Sequence, residues 1–262
     1  MYSMKTSVIL LAAGRGVRMS QEKSLLKLVG FSLFERCLHL FDGSDIADEL
    51  VIVGSAENLP KFRDLAGKYS LPEVHYVEGG DSRAESVRLG LESCSFPLVL
   101  IHNVSNPLSH RDDFEVLRQL LLEQDCACFV GQPVVDTLHR INGGQHEVVD
   151  RDWLWRAQTP QGFRRDTLVG LVDNQYDFSD EVSLYASSGL PVVPVSCSLF
   201  NQKLTFPEDV DFFESFLQRQ VWVGIGEDSH AFDTSGELVL GGVAFPGIPK
   251  LKGNSDGDAL LH

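Results

Sequence analysis

Short apolar runs alternate with amphipathic stretches along most of this 262-residue chain, and this alternation constrains the fold more than any other feature. Such runs are typical of strands buried on both faces of a sheet, and the stretches between them carry apolar residues at helical spacing. Strands that alternate with helices predict an α/β fold with a largely parallel, Rossmann-like sheet. The predicted strands are Ser7–Leu11, Glu49–Gly54, Val74–Glu78, Leu98–His102, Ala127–Gly131 and Val192–Val195.

The acidic charge balance narrows the range of ligands. The chain holds 22 lysines and arginines against 37 aspartates and glutamates, which gives a formal net charge of −15. A surface this acidic has no general affinity for nucleic acid or for anionic membranes, so we expect neither as a partner. An anionic ligand would need lysines and arginines gathered at one place.

The sequence also predicts the compartment. No apolar run approaches the ~18 residues that a membrane helix needs. The early run Val8–Ala13 leads directly into Gly14, which indicates a buried strand and not a signal peptide. The five cysteines are an odd number without C-x-x-C spacing, which argues against a disulfide framework and a zinc knuckle. We therefore expect a cytoplasmic protein.

Residues 134–160 interrupt the alternation and divide the first domain. They contain two polar, strand-like pieces around the turn signal Asn142-Gly143-Gly144. A hairpin this polar fits the core poorly, so we predict a projecting β-arm within a domain of residues 1–219.

Residues 220–262 begin with a new predicted strand at 221–226 and contain a hairpin candidate at Glu237–Gly242. About forty residues are too few for a stable core, so this part is predicted to be an incomplete α+β segment.

A glycine-rich loop follows the first predicted strand. Its small residues let the backbone approach a ligand, and backbone N–H groups in such a loop can surround phosphate oxygens. The spacing matches neither a Walker loop nor G-x-G-x-x-G. Because Arg18 and Lys23 follow the loop, we predict a phosphate site there. The loop residues are Ala12, Ala13, Gly14, Arg15 and Gly16.

Six segments, in order, carry a resemblance to a known family. They are Leu11–Met19, Gly79–Val87, Pro133–Thr137, Asp150-Arg151 with Gln158–Gln161, Asp180-Glu181, and Asn201–Asp209. Together they resemble the 2-C-methyl-D-erythritol 4-phosphate cytidylyltransferase family over roughly residues 5–219. Members of that family are nucleotidyltransferases of the non-mevalonate route to isoprenoid precursors.

The resemblance implies a reaction and the residues that perform it. CMP would pass from CTP to 2-C-methyl-D-erythritol 4-phosphate, with release of pyrophosphate and with Mg²⁺ as cofactor. Arg18 and Lys23 would lie along the triphosphate, and Lys203 near the reacting phosphates. Thr137 and Arg151 would grip the acceptor from an arm of a partner subunit, which implies a homodimer. The base and ribose would be surrounded by Gly80, Asp81, Arg83 and Ser86.

The segment after the fourth predicted strand departs from the family pattern. The family usually has His-Asp-(Ala/Gly)-Ala-Arg-Pro, whereas this chain has His102-Asn103-Val104-Ser105-Asn106-Pro107. Asn103 takes the place of a magnesium-binding aspartate, and Asn106 takes the place of an arginine. A neutral amide offers Mg²⁺ an oxygen without negative charge, so we expect weakened metal use and a weaker hold on an anionic acceptor.

Residues 221–262 resemble the opening of a second family of the same pathway, the 2-C-methyl-D-erythritol 2,4-cyclodiphosphate synthases. The matching segments are Gly224–His230, Leu240–Val243 and Ser255–His262. By resemblance, Asp228, His230 and His262 would bind a divalent metal, with zinc as the candidate ion. Bifunctional fusions of the two enzymes exist, and we expect this chain to be one cut short, without cyclodiphosphate synthase activity.

Two alternatives stay open at the level of the sequence. Asn103 and Asn106 favour a degenerate domain that binds nucleotide or only dimerises, whereas the retained Arg18, Lys23 and Lys203 favour an enzyme. The acceptor of such an enzyme could also be another alditol or sugar phosphate. Taken singly, Arg83 and Lys203 are better explained as solvated surface charges, and only the order of the segments favours a site.

Overall fold

The structure is a computed structural model that describes residues 4–14, 23–173, 178, 180–218, 231–240 and 243–252. The chain divides into two compact units, Met1–Leu217 and Gln218–His262. The strands of the first unit are β1 Thr6–Leu11, β2 Lys27–Leu28, β3 Phe31–Ser32, β4 Glu49–Gly54, β5 Glu73–Glu78, β6 Leu98–Asn103, β7 Ala127–Pro133, β8 Leu138–Asn142, β9 Gln145–Val149, β10 Trp155–Arg164 and β11 Val192–Ser196. The helices are α1 Leu33–His39, α2 Leu59–Ala66, α3 Arg83–Glu92, α4 Arg111–Glu123, α5 Arg165–Val172, α6 Glu181–Ser187 and α7 Asp209–Gln218.

Within the residues that the structure describes, seven strands form one sheet in the order β11-β7-β10-β6-β1-β4-β5. Neighbouring strands are parallel except β10, which runs antiparallel to β6 and β7. The predicted α/β fold with a largely parallel sheet is therefore confirmed. Each of the six strands predicted between residues 7 and 195 is present, and its bounds shift by at most two residues.

Strand β10 corrects the predicted extent of the arm. Residues 155–160 are predicted above as part of the arm, but they begin a central strand of the sheet. Trp155 pairs with Pro133 of β7, and Gln161 pairs with Phe129 of β7 and with Ile101 of β6. The first half of β10 is largely exposed and its buried half contains polar residues, so the strand has no apolar run that a sequence pattern would reveal.

Two apolar cores cover the faces of the sheet, because successive side chains of a strand point to opposite sides. Val8 and Leu10 of β1 join the core under α1, α2, α4 and α7, whereas Ile9 joins the core under α3, α5 and α6. Helix α1 begins with a capping box, which the sequence pattern Ser32-x-x-Glu35 predicts: Glu35 N donates to Ser32 Oγ at 3.2 Å, and Ser32 N donates to Glu35 Oε2 at 2.9 Å.

Three loops leave the carboxyl ends of parallel strands at the same edge of the sheet. Backbone hydrogen bonds continue the strand pairing into these loops and hold them side by side. The bonds run from Ala12 N to Val53 O at 2.8 Å, from Gly79 N to Gly54 O at 2.9 Å, and from Val104 N to Leu11 O at 3.1 Å. Ligands of open α/β sheets bind at this edge.

The arm and the second unit each contain a hairpin. Strands β8 and β9 pair antiparallel around Gly143 and Gly144, whose φ angles of 56° and 84° favour glycine. In the second unit, β12 Phe232–Leu240 and β13 Val243–Leu251 pair antiparallel, at the place of the predicted hairpin. The predicted strand at 221–226 lies outside the described residues. No helix that the structure describes is long and apolar enough to cross a membrane.

Candidate active site

A cavity of about 640 Å³ lies where β1, β5 and β6 end. Its volume is within the usual range of small-molecule sites, roughly 300–1,000 Å³. The walls combine small residues, hydroxyl groups and two lysines of an acidic chain. The lining residues are Leu11, Ala12, Ala13, Gly14, Lys23, Ser24, Gly80, Asp81, Ser82, Arg83, Ser86, Asn103, Val104, Ser105, Lys203 and Thr205.

One wall consists of small residues from two loops that touch. A methyl group on Gly79 would lie 2.5 Å from the Cβ atom of Ala13, so the close approach of the loops requires glycine there. A methyl group on Gly80 would overlap the side chain of Glu85. Backbone atoms are therefore exposed to a ligand along this wall. Of the predicted glycine loop, Ala12, Ala13 and Gly14 line the cavity, whereas Arg15, Gly16 and Arg18 lie outside the described residues.

The loop that precedes α3 is held by its own side chains. Ser82 caps the helix, since its Oγ accepts a hydrogen bond from Glu85 N at 3.0 Å. The Ser86 hydroxyl accepts from Gly80 N at 3.1 Å and donates to the Ser82 carbonyl at 2.9 Å. Asp81 N donates to Glu85 Oε2 at 2.8 Å. The loop thus presents Gly80, Asp81, Arg83 and Ser86 on one side of the cavity.

Arg83 is held at the cavity by a buried carboxylate. Its Nη1 and Nη2 atoms donate to Oε1 and Oε2 of Glu181 at 2.5 and 2.8 Å, and the Glu181 side chain is fully buried. Burial alone would lower the pKa of Arg83, but the carboxylates of Glu181 and Asp180 raise it overall. Two parallel hydrogen bonds fix the plane of the guanidinium. Glu181, quoted above only as part of a matching segment, therefore orients Arg83.

The two lysines of the cavity belong to segments that bind each other. Lys23 Nζ donates to the carbonyl oxygens of Thr205 and Leu204 at 2.9 and 3.3 Å, and Leu204 N donates to the Ser105 carbonyl at 2.8 Å. The Asp209 carboxylate accepts from the backbone of the same loop, from Thr205 N at 2.7 Å. The loop that carries Lys203 is thus tied to the segment of Lys23 and to the loop after β6.

Beneath this loop lies a network of buried polar groups centred on Thr159. Its hydroxyl contacts His102 Nδ1 at 3.0 Å and accepts from Asn103 N at 3.2 Å, and its carbonyl accepts from Asn201 Nδ2 at 3.0 Å. Burial lowers the pKa of His102 to about 3, so this imidazole is neutral at physiological pH. Thr159 therefore connects β6, β10 and the loop of Lys203.

Asn201 and Asn106 complete the network. Asn201 Oδ1 accepts from Ser109 Oγ at 3.1 Å and from Asn106 Nδ2 at 3.3 Å, and Asn106 Nδ2 also donates to Gln158 Oε1 at 3.0 Å. Asn201 is completely buried and Asn106 is 1% exposed. Asn106 is therefore part of the support below the cavity. No local sequence pattern predicts this network, because its partners are far apart in the chain.

Asn103 lies on the cavity wall, at the carboxyl end of β6. As a neutral amide it can supply one oxygen to a hard cation but no charge. In the described ranges of the chain, no three His, Cys, Asp or Glu side chains converge as a protein-made metal centre would require.

Thr137 and Arg151 lie on the arm and not on the cavity wall. Both are exposed, and Arg151 Nη1 lies 3.4 Å from Thr137 Oγ1. The structure brings these two residues together, as their shared role in acceptor binding would require, but it does not bring them to the cavity of their own chain. Asp228, His230 and His262, the predicted metal ligands of the second unit, lie outside the described residues.

A doubly wound sheet with a cavity at its carboxyl edge, walled by exposed backbone and lysines, defines an α/β nucleotide-binding domain. Comparison with sequence families narrows this class. Residues 6–219 match the 2-C-methyl-D-erythritol 4-phosphate cytidylyltransferase family, and residues 221–262 match the YgbB family. The chain belongs to the cytidylyltransferase family, which confirms the resemblance found in the sequence.

Individual relatives agree with this assignment. The bifunctional enzyme IspD/IspF of Anaeromyxobacter dehalogenans (strain 2CP-C) is 34% identical over 270 residues, which cover 97% of this chain and 67% of that protein. The structure of the bifunctional IspDF of Campylobacter jejuni superposes with a TM-score of 0.66 at 27% identity. The match covers 98% of this chain and 68% of the Campylobacter chain. The 4-diphosphocytidyl-2C-methyl-D-erythritol synthase of Anaerococcus prevotii DSM 20548 shares the fold, with a TM-score of 0.73 at 24% identity over 83% of this chain and 97% of its own.

Proposed function

We propose that this chain transfers CMP from CTP to 2-C-methyl-D-erythritol 4-phosphate, which gives 4-diphosphocytidyl-2-C-methyl-D-erythritol and pyrophosphate. One observation carries the proposal: Lys23 and Lys203 line the same cavity as two loops with exposed backbone, in a chain of net charge −15. Local positive charge and backbone N–H groups suit a triphosphate. Membership of the cytidylyltransferase family supports the choice of nucleotide and acceptor.

In this proposal the two loops hold the two ends of CTP. Gly80, Asp81, Arg83 and Ser86 surround the base and ribose, since all four lie on the cavity wall. The phosphates lie along the glycine loop of residues 12–16, with Arg18 and Lys23 as their cations. The bidentate contact with Glu181 keeps Arg83 in place without the nucleotide, which reduces the ordering cost of binding.

The transfer step needs alignment and charge. A phosphate oxygen of the acceptor forms a bond to the α-phosphorus of CTP, and the bond from that phosphorus to the bridging oxygen breaks. The electron pair leaves with pyrophosphate. Negative charge spreads over the phosphoryl oxygens in the transition state, and the ammonium groups of Lys203 and Lys23 stabilise it. The contacts of Lys23 with the Lys203 loop keep the two cations in one cavity.

Mg²⁺ is the proposed cofactor of the cavity. Asn103 fits as one neutral ligand through its amide oxygen, and phosphate oxygens of CTP would supply the charged ones. When bound, the ion offsets part of the negative charge of the phosphates. The single neutral protein ligand supports a high Mg²⁺ requirement.

We propose that the arm makes the enzyme a homodimer. Apolar side chains on and beside the arm are exposed, with 75% exposure for Ile141, 74% for Val135 and 89% for Trp153. Thr137 and Arg151 are absent from the lining of their own chain's cavity, so their proposed role in holding the acceptor requires the cavity of a second copy. Arg151 would then act on the reacting phosphates of that copy.

Mixing two inactive variants tests the shared site. Each proposed site contains Lys203 of one chain and Arg151 of the other chain. Lys203→Ala removes the first of these residues from both sites of its dimer, and Arg151→Ala removes the second. A mixed dimer has one site with both residues intact, so an equilibrated mixture should regain about a quarter of the parent activity. Absence of any recovery, with dimers shown to exchange, would place Arg151 in its own chain's site, and full activity of Arg151→Ala alone would place Arg151 outside the reaction.

The proposal extends to the rest of the chain. Residues 1–219 are the cytidylyltransferase domain, and residues 220–262 are a cyclodiphosphate synthase-like segment with Asp228, His230 and His262 as ligands of a divalent metal such as zinc. The match of residues 221–262 to the YgbB family supports this division. Five free cysteines and the acidic surface support a cytoplasmic protein with no nucleic-acid or membrane partner.

One observation favours a second candidate function. Asn103 lies at the cavity without the negative charge that magnesium sites generally use, which favours a domain that binds nucleotide with little turnover. A transferase for another alditol or sugar phosphate is the other candidate, which the sequence leaves open.

Pyrophosphate release separates these functions. The assay uses each of the four nucleoside triphosphates, with 2-C-methyl-D-erythritol 4-phosphate, with another alditol phosphate, or with no acceptor. We expect release with CTP and only with methylerythritol phosphate. Release with a different acceptor alone would reassign the substrate. CTP binding in calorimetry without release would support the non-catalytic domain, and absence of CTP binding would refute the assignment of the cavity.

A further inference from the structure

Two histidines meet on one face of the arm. His139 of β8 lies opposite Val148, and His146 of β9 lies opposite Ile141, so both imidazoles stand on the same face of the hairpin. Nδ1 of His139 and Nε2 of His146 are 2.5 Å apart. The rings are stacked, with centroids 4.7 Å apart and planes inclined by 21°. The two rings therefore present one nitrogen each, side by side, on the surface of the hairpin.

We propose that His139 and His146 form a binding site for a nitrogen-preferring divalent cation, Zn²⁺ or Cu²⁺, which clips the two strands of the arm together. Imidazole nitrogen suits both ions. Metal–nitrogen bonds of about 2.0–2.1 Å, at angles between square and tetrahedral, hold two nitrogens roughly 2.8–3.4 Å apart. The pair therefore has to open by less than about 1 Å, and both side chains are exposed and have room to do so.

The hairpin holds the two ligands in place before the ion arrives. The strands are in register on both faces, because Arg140 and Glu147 form an ion pair at 3.2 Å on the other face. The carboxylate of Glu147 is paired with Arg140 on that other face, so it does not compete with the imidazoles for a cation. Two ligands held on paired strands act as a chelate, with a high effective concentration of the second imidazole. Neither histidine lines the nucleotide cavity.

The clip has a consequence that rests on the proposed function. Thr137 precedes His139 by two residues, and Arg151 contacts Thr137 across the base of the same hairpin. An ion that joins β8 to β9 would therefore restrain the arm next to the proposed acceptor-binding residues. The metal test below reads binding alone, so its outcome is independent of whether the cytidylyltransferase proposal succeeds.

Cu²⁺ held by nitrilotriacetate is a suitable probe, because this chelate leaves adjacent positions free for a pair of imidazoles. The full chain is titrated with the probe and followed by electron paramagnetic resonance. We expect the parent to bind one more ion per chain than the His139→Ala/His146→Ala double variant, apart from any ion held by Asp228, His230 and His262. That ion should show couplings to two imidazole nitrogens and be displaced by Zn²⁺. His139→Ala and His146→Ala should each weaken binding by more than about tenfold and reduce the couplings to one imidazole.

His39→Ala is the matched control, since His39 is an exposed imidazole that packs against the rings of Phe31 and Tyr69. It should bind the probe as the parent does. Equal titrations of the parent and the His139→Ala/His146→Ala double variant would overturn the proposal, and so would a parent spectrum with a single imidazole. In either case the two rings share only a hydrogen bond. Zn²⁺ should also slow proteolysis within residues 138–149 of the parent, and an equal effect on the double variant would count against the site.

Discussion

Replacing Asn201 by alanine removes the side chain that ties the loop of Lys203 to the sheet. Asn201 is completely buried, and its amide accepts from Ser109 and Asn106 and donates to the carbonyl of Thr159. Lys203 is two residues further along the chain and lines the cavity. The substitution therefore perturbs the support of a proposed catalytic lysine without touching the ligand.

The expected loss of stability follows from the bonds that remain. Asn106 Nδ2 keeps Gln158 Oε1 at 3.0 Å, and Ser109 Oγ keeps the Asn106 carbonyl at 3.3 Å. The Thr159 carbonyl loses its shortest contact. That carbonyl keeps Ser109 Oγ at 3.5 Å, so the substitution removes three hydrogen bonds, each worth about 0.5–1.5 kcal/mol net. We expect Asn201→Ala to lower the free energy of unfolding by about 1.5–4.5 kcal/mol, less than the whole stability of a typical domain.

Two measurements test this reasoning. Urea unfolding of parent and variant gives the change in the free energy of unfolding. Steady-state kinetics gives kcat and the KM for CTP, and a displaced Lys203 should lower kcat by about 10- to 100-fold with a smaller change in KM. A purely structural residue would lower stability and leave the kcat of the folded fraction unchanged.

Gln202→Ala is the control in the same loop, since Gln202 is half-buried and its side chain bonds only locally, to the Leu199 carbonyl at 3.0 Å. It should change the free energy of unfolding by less than about 1 kcal/mol. If Asn201→Ala also costs less than that, the buried network does not stabilise the loop. If kcat is equal in the parent and in folded Asn201→Ala, the network does not position Lys203.

Further expectations concern the cavity and the buried histidine. Lys203→Ala should lower kcat by ~10²–10³ with little change in CTP binding, and equal rates at saturating substrates would remove Lys203 from the site. Asn103→Asp should lower the Mg²⁺ concentration for half-maximal rate, and an unchanged metal dependence would mean that Asn103 is not at the metal. Glu181→Gln removes the carboxylate that holds Arg83 by two hydrogen bonds and should lower the free energy of unfolding toward the lower end of about 3–5 kcal/mol, since Arg83 keeps some solvent and the charge of Asp180; urea unfolding that shows no loss would contradict this. The pKa of His102 falls from 6.5 to about 3 on folding, so between these pH values the unfolded chain binds a proton that the folded chain does not. The free energy of unfolding should therefore decrease as the pH falls through this range, by up to about 1.4 kcal/mol per pH unit. A His102→Asn variant with an equally steep pH dependence would refute this contribution.

The sequence by itself determined the parts of the fold that depend on neighbours along the chain. The parallel strands appear as apolar runs, the start of α1 as a capping box around Ser32, and the arm as polar strands around Gly143-Gly144. It also located the glycine loop of the cavity, because that loop has a local pattern of small residues after a strand. The segment from Gly79 and the roles of the site residues came only from the order of segments that resemble a family.

Tertiary structure decided the contacts between distant segments. Arg83 meets Glu181 across 98 positions of the chain, and Asn106 meets Asn201 across 95. Polar side chains such as these have no periodicity that marks a partner, and alone each is equally compatible with the surface. Strand β10 was hidden for the same reason, since its pairing with β6 and β7 and not its own apolarity makes it a strand. Burial forces each of these groups to find a hydrogen-bond partner, and only the folded chain determines which partner is within reach.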